Sequence, residues 1–293
     1  MDFNGCAPGP PRRCILTLGM KRILTAIVLI PLVLLVVFLG PRWLFTLLTA
    51  GLAALAAWEY LSLTELGGAR ASRIAVVAAI GSLFAVNFEY PDLSLAILGI
   101  ASLFLLIYCT FRSPVERVLL DAAVSIFCLI YVGFTLLAVP ALREQASGPS
   151  QVTFLLCVVW AGDIAAMYVG RLLGRHKMAP SLSPNKTWEG AVGSLAGSLL
   201  AAGGLLALAN WLTQWNSARL SYPDEIWYWL VLAVVVNIAA QVGDLAESAL
   251  KRSVGVKDSG TLLPGHGGVL DRIDALLVAA PVLWYAQLIH QRF

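Results

Sequence analysis

Apolar runs, each close to the thickness of a bilayer core, recur along nearly the whole chain, and no other feature constrains its fold as much. A helix that spans lipid needs roughly 20 predominantly apolar residues. Nine segments read this way: 23–40, 44–63, 74–88, 93–111, 118–142, 152–172, 191–212, 226–241 and 273–290. The third and eighth are short, and the eighth is expected to continue as helix past Asp244. Only 13% of the 293 residues are charged, where a soluble domain carries about 25%. A soluble globule could not cover its surface with so few polar side chains. A soluble enzyme, a disordered chain and a peripheral protein on a single anchor are excluded. The expected fold is all-α: a polytopic integral membrane helix bundle of about nine transmembrane helices.

The first span follows Arg12, Arg13, Lys21 and Arg22, and no small-x-small cleavage site closes it before Pro41-Arg42-Trp43. It reads as an uncleaved span rather than a signal peptide. Residues 1–22 read as a flexible basic tail, within which Met20 is a second candidate start of translation. Nine spans sort the connecting segments into two sets. One holds 16 of the 20 Lys and Arg residues; the other holds Arg42, Arg143, Arg219 and Arg292. The positive-inside rule assigns the first set, and with it the N-terminus, to the cytoplasm. The five cysteines (Cys6, Cys14, Cys109, Cys128 and Cys157) form no Cys-x-x-Cys pair. They are expected to be free thiols rather than disulfides or zinc ligands.

Charge is concentrated in two stretches. Residues 160–190 and 241–274 hold 15 of the 37 charged residues, and both lie on the cytoplasmic side of the sorting. In the first, Asp163 interrupts an apolar run, where an ionisable group costs several kcal/mol unless paired, hydrated or metal-bound. Pro180 and Pro184 break the helix. Ser183, Lys186 and Thr187 then combine hydroxyls, backbone N–H groups and a cation, a set suited to phosphate. In the second, Asp244, Glu247, Ser248 and Lys251 recur at i, i+3, i+4 and i+7, one face of a helix. Asp271 and Asp274 open the last span. The intervening loop carries Lys257-Asp258 and Gly265-His266-Gly267-Gly268, whose glycines allow close backbone approach to a ligand. A hard cation such as Mg²⁺ takes one or two carboxylates plus phosphate oxygens. Phosphate-binding P-loop and nucleophile-elbow motifs are absent.

At these residues the sequence resembles the phosphatidate cytidylyltransferase (CDP-diacylglycerol synthase) family. The signature is carried by Ser248, Lys251, Arg252, Lys257, Asp258, Pro264, His266, Gly267, Gly268, Asp271, Arg272 and Asp274. Gly243-Asp244-Leu245 and Ser183-Pro184-x-Lys186-Thr187-Trp188-Glu189-Gly190 are also similar to the family. In the N-terminal half the resemblance amounts to hydropathy and Lys21-Arg22-Ile23-Leu24-Thr25. Ile164, Ala166, Met167 and Asn185 depart from the usual pattern.

The resemblance implies transfer of CMP from CTP to phosphatidic acid, giving CDP-diacylglycerol and pyrophosphate for phospholipid biosynthesis. It implies a nucleotidyltransferase that uses Mg²⁺, with room for a second cation such as K⁺. Asp244 and Asp271, with Glu247 and Asp274, are the expected metal ligands. Asp244, Asp271, Lys257 and Asp258 are the expected catalytic set. Ser183, Lys186, Thr187, Ser248, Lys251, Arg252, His266, Gly267, Gly268 and Arg272 are expected to bind substrate. The chain then divides into the tail, an N-terminal transmembrane region (23–150) and a C-terminal catalytic region (151–293). CTP, phosphatidic acid and membrane lipids are the implied partners, with no nucleic acid, and homodimer formation is left open. The expected location is a bacterial inner membrane, with the site facing the cytoplasm. Rival readings are a transporter, a CTP-dependent lipid-alcohol kinase releasing CDP, and a cytidylyltransferase for an ether-linked phosphatidate.

Overall fold

A computed structural model describes residues 29–215, 220–223, 225–260 and 267–292. The tail 1–22, Met20 included, lies outside these. In chain order the helices are α1 (Leu29–Leu39), α2 (Arg42–Leu66), α3 (Arg73–Glu89), α4 (Ser94–Arg112), α5 (Val118–Cys128), α6 (Thr135–Arg143), α7 (Gly148–Leu173), α8 (Trp188–Gln214), α9 (Ile226–Ser253) and α10 (Leu270–His290). A π-helical stretch, Leu129–Phe134, joins α5 and α6 into one rod. The molecule is an all-α polytopic membrane bundle. Its one departure among the described residues is a small hairpin between α7 and α8, formed by β1 (Lys177–Ala179) and β2 (Ser183–Thr187).

The described part of each of the nine apolar segments falls on helix, residues 23–28 of the first lying outside the described residues. Among the described residues, seven rods are long and apolar enough to cross a membrane: α2, α4, α5–α6, α7, α8, α9 and α10. The described part of α1 is shorter, and α3 has 17 residues. The limits of α3 have local causes. Ser72 caps it, accepting a bond from the Ala75 N–H. Pro91, which has no N–H to donate, follows its end at Tyr90. The eighth segment does run on as helix, through Asp244 to Ser253.

Two apolar cores fill the bundle. One gathers α2, α3, α4, α5, the π-helical stretch and α6 around Leu61, Ile80, Leu83 and Leu129, with Leu270 and Leu277 of α10. The other gathers α7, α8 and α9 around Phe154, Trp229 and Val236, with Ala279 and Leu283 of α10. Helix α10 therefore packs in both, as do α2 and α6. Helices α7 and α8 approach closely because glycines line their seam. A Cβ on Gly193 would stand 2.6 Å from the Val169 side chain, and one on Gly197 2.5 Å from Ala165. Between apolar helices in lipid, close van der Waals packing of this kind replaces the hydrophobic effect.

Polar contacts gather at the two ends of the bundle. At one end Arg143 donates to the Val37 carbonyl (2.9 Å) and stacks over Phe45, and Arg42 pairs with Glu144 (3.2 Å). At the other, buried Asp121 accepts from the Arg70 N–H (2.7 Å) and the Ser113 hydroxyl (2.6 Å). Arg117 donates there to the Gly68 carbonyl (2.6 Å). The end of α2 meets the end of α9, since a Cβ on Gly67 would lie 3.2 Å from Val254. Both charged stretches of the sequence come to this second end.

Candidate active site

The site forms where the hairpin, the C-terminal part of α9 and the start of α10 meet. The hairpin comes first in the chain. Its strands pair antiparallel, Lys177 opposite Thr187 and Ala179 opposite Ser183. Arg252 fastens it to α9 by donating to the Leu182 carbonyl (3.1 Å), and also donates to the Val256 carbonyl (2.9 Å). Thr187 ends β2 and caps α8, its hydroxyl oxygen accepting from the Gly190 N–H (3.1 Å). Glu189, in the first turn of α8, holds His176 (2.6 Å) across the hairpin base. An acid suits a helix N-terminus, where the unpaired N–H groups carry partial positive charge.

With the hairpin fixed, Lys186 reaches α9 and pairs with Asp244 at 2.7 Å. This pair borders a cleft lined by Asp163, Met167, Met178, Asn185, Thr187, Ser194 and Gln241. Asp163, Asp244 and Asp274 lie near enough to act on one another electrostatically. Behind the cleft, Asn237 donates to the hydroxyls of Ser194 and Ser198, both at 2.8 Å, so these buried groups satisfy each other.

The α9 face divides in two. Asp244 turns to the hairpin, while Glu247 and Lys251 turn to α10. Lys251 bridges Glu247 (2.6 Å) and Asp271 (2.7 Å), and all three side chains are largely buried. Removing one partner of such a pair costs about 3–5 kcal/mol, because a buried charge is left uncompensated. Asp271 is further held by backbone donors: the Ser259 N–H at 3.0 Å and the Gly268 N–H at 2.8 Å. Gly267 sits at φ +80°, where a side chain is strained. At Gly268 a Cβ would lie 2.0 Å from the Ser259 hydroxyl. The glycines of the sequence motif thus let the loop close tightly on Asp271.

The remaining expected residues sort as follows. Ser183 lies on β2 and Ser248 is half-buried on α9. Lys257 and Asp258 are exposed in the turn after α9. Arg272 is exposed and engaged. His266 and Pro264 lie outside the described residues. Cys109, Cys128 and Cys157 are free thiols, as expected; Cys6 and Cys14 lie outside. Sequence reasoning missed Glu59. This buried carboxylate of α2 accepts from the Ser259 hydroxyl (3.1 Å) and the Leu270 N–H (2.9 Å). Its signal was available: a lone acid in an apolar run, the same signal that singled out Asp163.

Among the described residues, no three His, Cys, Asp or Glu side chains form a group that could hold a metal ion unaided. The acids near the cleft are hard oxygen donors balanced by lysines. Mg²⁺ fits such a set, because it binds through one or two carboxylates and takes its other ligands from water and substrate phosphates.

Compared with known families, the chain matches the Cytidylyltransferase family over residues 20–290. It is 48% identical over 157 residues to a phosphatidate cytidylyltransferase of Brucella suis, covering 53% of this chain and 54% of that protein. It is 38% identical over 184 residues to the phosphatidate cytidylyltransferase of Staphylococcus haemolyticus, covering 63% of this chain and 66% of that protein. The Staphylococcus saprophyticus protein of the same name is 36% identical over the same length. The chain spans about half the length of the Brucella relatives it matches.

Proposed function

The chain belongs to the Cytidylyltransferase family, and on that premise we propose that it transfers CMP from CTP to phosphatidic acid, releasing pyrophosphate. The observation that carries this reading is the pairing of lysines with carboxylates at one end of the bundle. Lys186 is held by Asp244, and Lys251 by Glu247 and Asp271. One substrate is a lipid and the other a soluble polyanion, so a site at the end of a membrane bundle can receive both.

In the proposed step, an oxygen of the phosphatidate monoester attacks the α-phosphorus of CTP in line. The bond from that phosphorus to the bridging oxygen of the β-phosphate breaks, and pyrophosphate leaves with the electron pair. A phosphate monoester is largely dianionic near neutral pH, its second pKa being about 6, so it needs little help from a base. The main barrier is the approach of two polyanions. Fixed cations lower it without reorganising at the moment of reaction. Lys186 and Lys251 would exchange carboxylate oxygens for phosphate oxygens, while Arg252, Lys257 and Arg272 raise the local positive charge. Ser183 and Ser248 are hydroxyl donors within the same surface. Asp244 and Asp271, assisted by Glu247 or Asp274, would hold Mg²⁺, which when bound neutralises phosphate charge and orients the leaving group.

The test is incubation of the purified protein with α-labelled CTP, Mg²⁺ and phosphatidic acid. Label should enter lipid as pyrophosphate is released, and EDTA should stop both. Release of CDP with no label in lipid would point to a lipid kinase and overturn the reading.

A further inference from the structure

Asp271 and Glu59 are held by the same short stretches of backbone. The Ser259 N–H and Gly268 N–H donate to Asp271. The Ser259 hydroxyl and the Leu270 N–H donate to Glu59, 200 and 211 residues away along the chain. Glu59 is 6% exposed and sits on α2, in the N-terminal half. Two glycines make room for its carboxylate. A Cβ on Gly260 would lie 2.6 Å from Oε1, and one on Gly268 2.4 Å from Oε2. Glu59 is therefore walled in by the backbone at Gly260 and Gly268, just before the helix that carries Asp271, yet it touches neither Asp271 nor Lys251 directly in any described contact.

From this geometry we infer that Glu59 is a positioning residue: by gripping Ser259 and the first turn of α10, it fixes the backbone donors that aim Asp271 into the site. The inference rests on the proposed cytidylyltransferase reading. Both bonds go to one oxygen, Oε2, while Oε1 has no hydrogen-bond partner. A single carbonyl oxygen can accept both, so the role requires an acceptor of glutamate length and does not require a carboxylate.

Glu59→Gln should thus turn over close to wild type, whereas Glu59→Met, of similar length but with only a weakly accepting thioether, should lose kcat. The loss expected is about 100-fold, the scale on which displacing a catalytic group by roughly an ångström acts, with the KM for CTP little changed. Hydrogen–deuterium exchange on the full-length protein gives a readout independent of activity. In Glu59→Met, residues 257–260 and 267–270 should exchange faster while α7 and α8 keep their protection. Ser259→Ala, which removes one of the two donors, should give a smaller shift in the same direction. A Glu59→Met protein with normal kcat, unchanged exchange in the loop, or a Glu59→Gln protein as inactive as Glu59→Met would each overturn the assignment. If wild type transfers no CMP, the functional reading fails, and the exchange pattern still decides whether Glu59 holds the loop.

Discussion

At the scale of single residues, Asp244, Glu247 and Asp271 already have partners. Asp271 accepts from one lysine and two backbone N–H groups. Asp271→Asn keeps the shape and one acceptor oxygen but sets an amide N–H₂ among donors. Turnover in the labelled-CTP assay should fall by about 10²–10³, as when a preorganised electrostatic group is removed. The variant should still insert and purify as a single species, and near-normal turnover would end the proposed role of Asp271. The sequence signature pointed to Asp271, Lys251 and Asp244, because charge that costs energy in an apolar chain is visible when clustered. Glu59 and Asp121 carry the same signal as Asp163, a lone acid in an apolar run, but no charged motif surrounds them to show what they hold. The backbone donors that Glu59 and Asp121 accept from lie far along the chain.

At the scale of elements, hydropathy located the helices, since lipid leaves the backbone few ways to satisfy its own polar groups. It did not reveal the hairpin. Pro180 and Pro184 announce that a helix stops, but not what replaces it. Pro184 is tolerated in β2 because a two-stranded hairpin consists of edge strands. Nor did the pattern show that Thr187, expected to bind substrate, caps α8. Thr187→Ala removes that cap and should cost about 1 kcal/mol. The check is thermal unfolding of the purified protein, where a lowered midpoint is expected. An unchanged midpoint would mean that the hairpin holds the start of α8 without the hydroxyl.

At the scale of the whole molecule, sorting the cations by connecting segment anticipated which of them share an end of the bundle. Arg70, Arg117, Lys186, Lys251 and Arg252 share one end, and Arg42 and Arg143 the other. The same rule predicts which end meets the cytoplasm. In a cysteine-free background, Lys257→Cys should react with a membrane-impermeant maleimide in inside-out vesicles, and Arg292→Cys in right-side-out vesicles. Both positions are exposed, and the reverse pattern would turn the protein over in its membrane. The place of α10 bears on how such a chain is made. It contributes Leu270 and Leu277 to one core and Ala279 and Leu283 to the other, and Asp271 to the site. A ribosome delivers it after every other described helix. Until then both cores lack a wall, Lys251 waits without Asp271 and Glu59 without the Leu270 N–H, so in a nascent chain the candidate site is still unassembled.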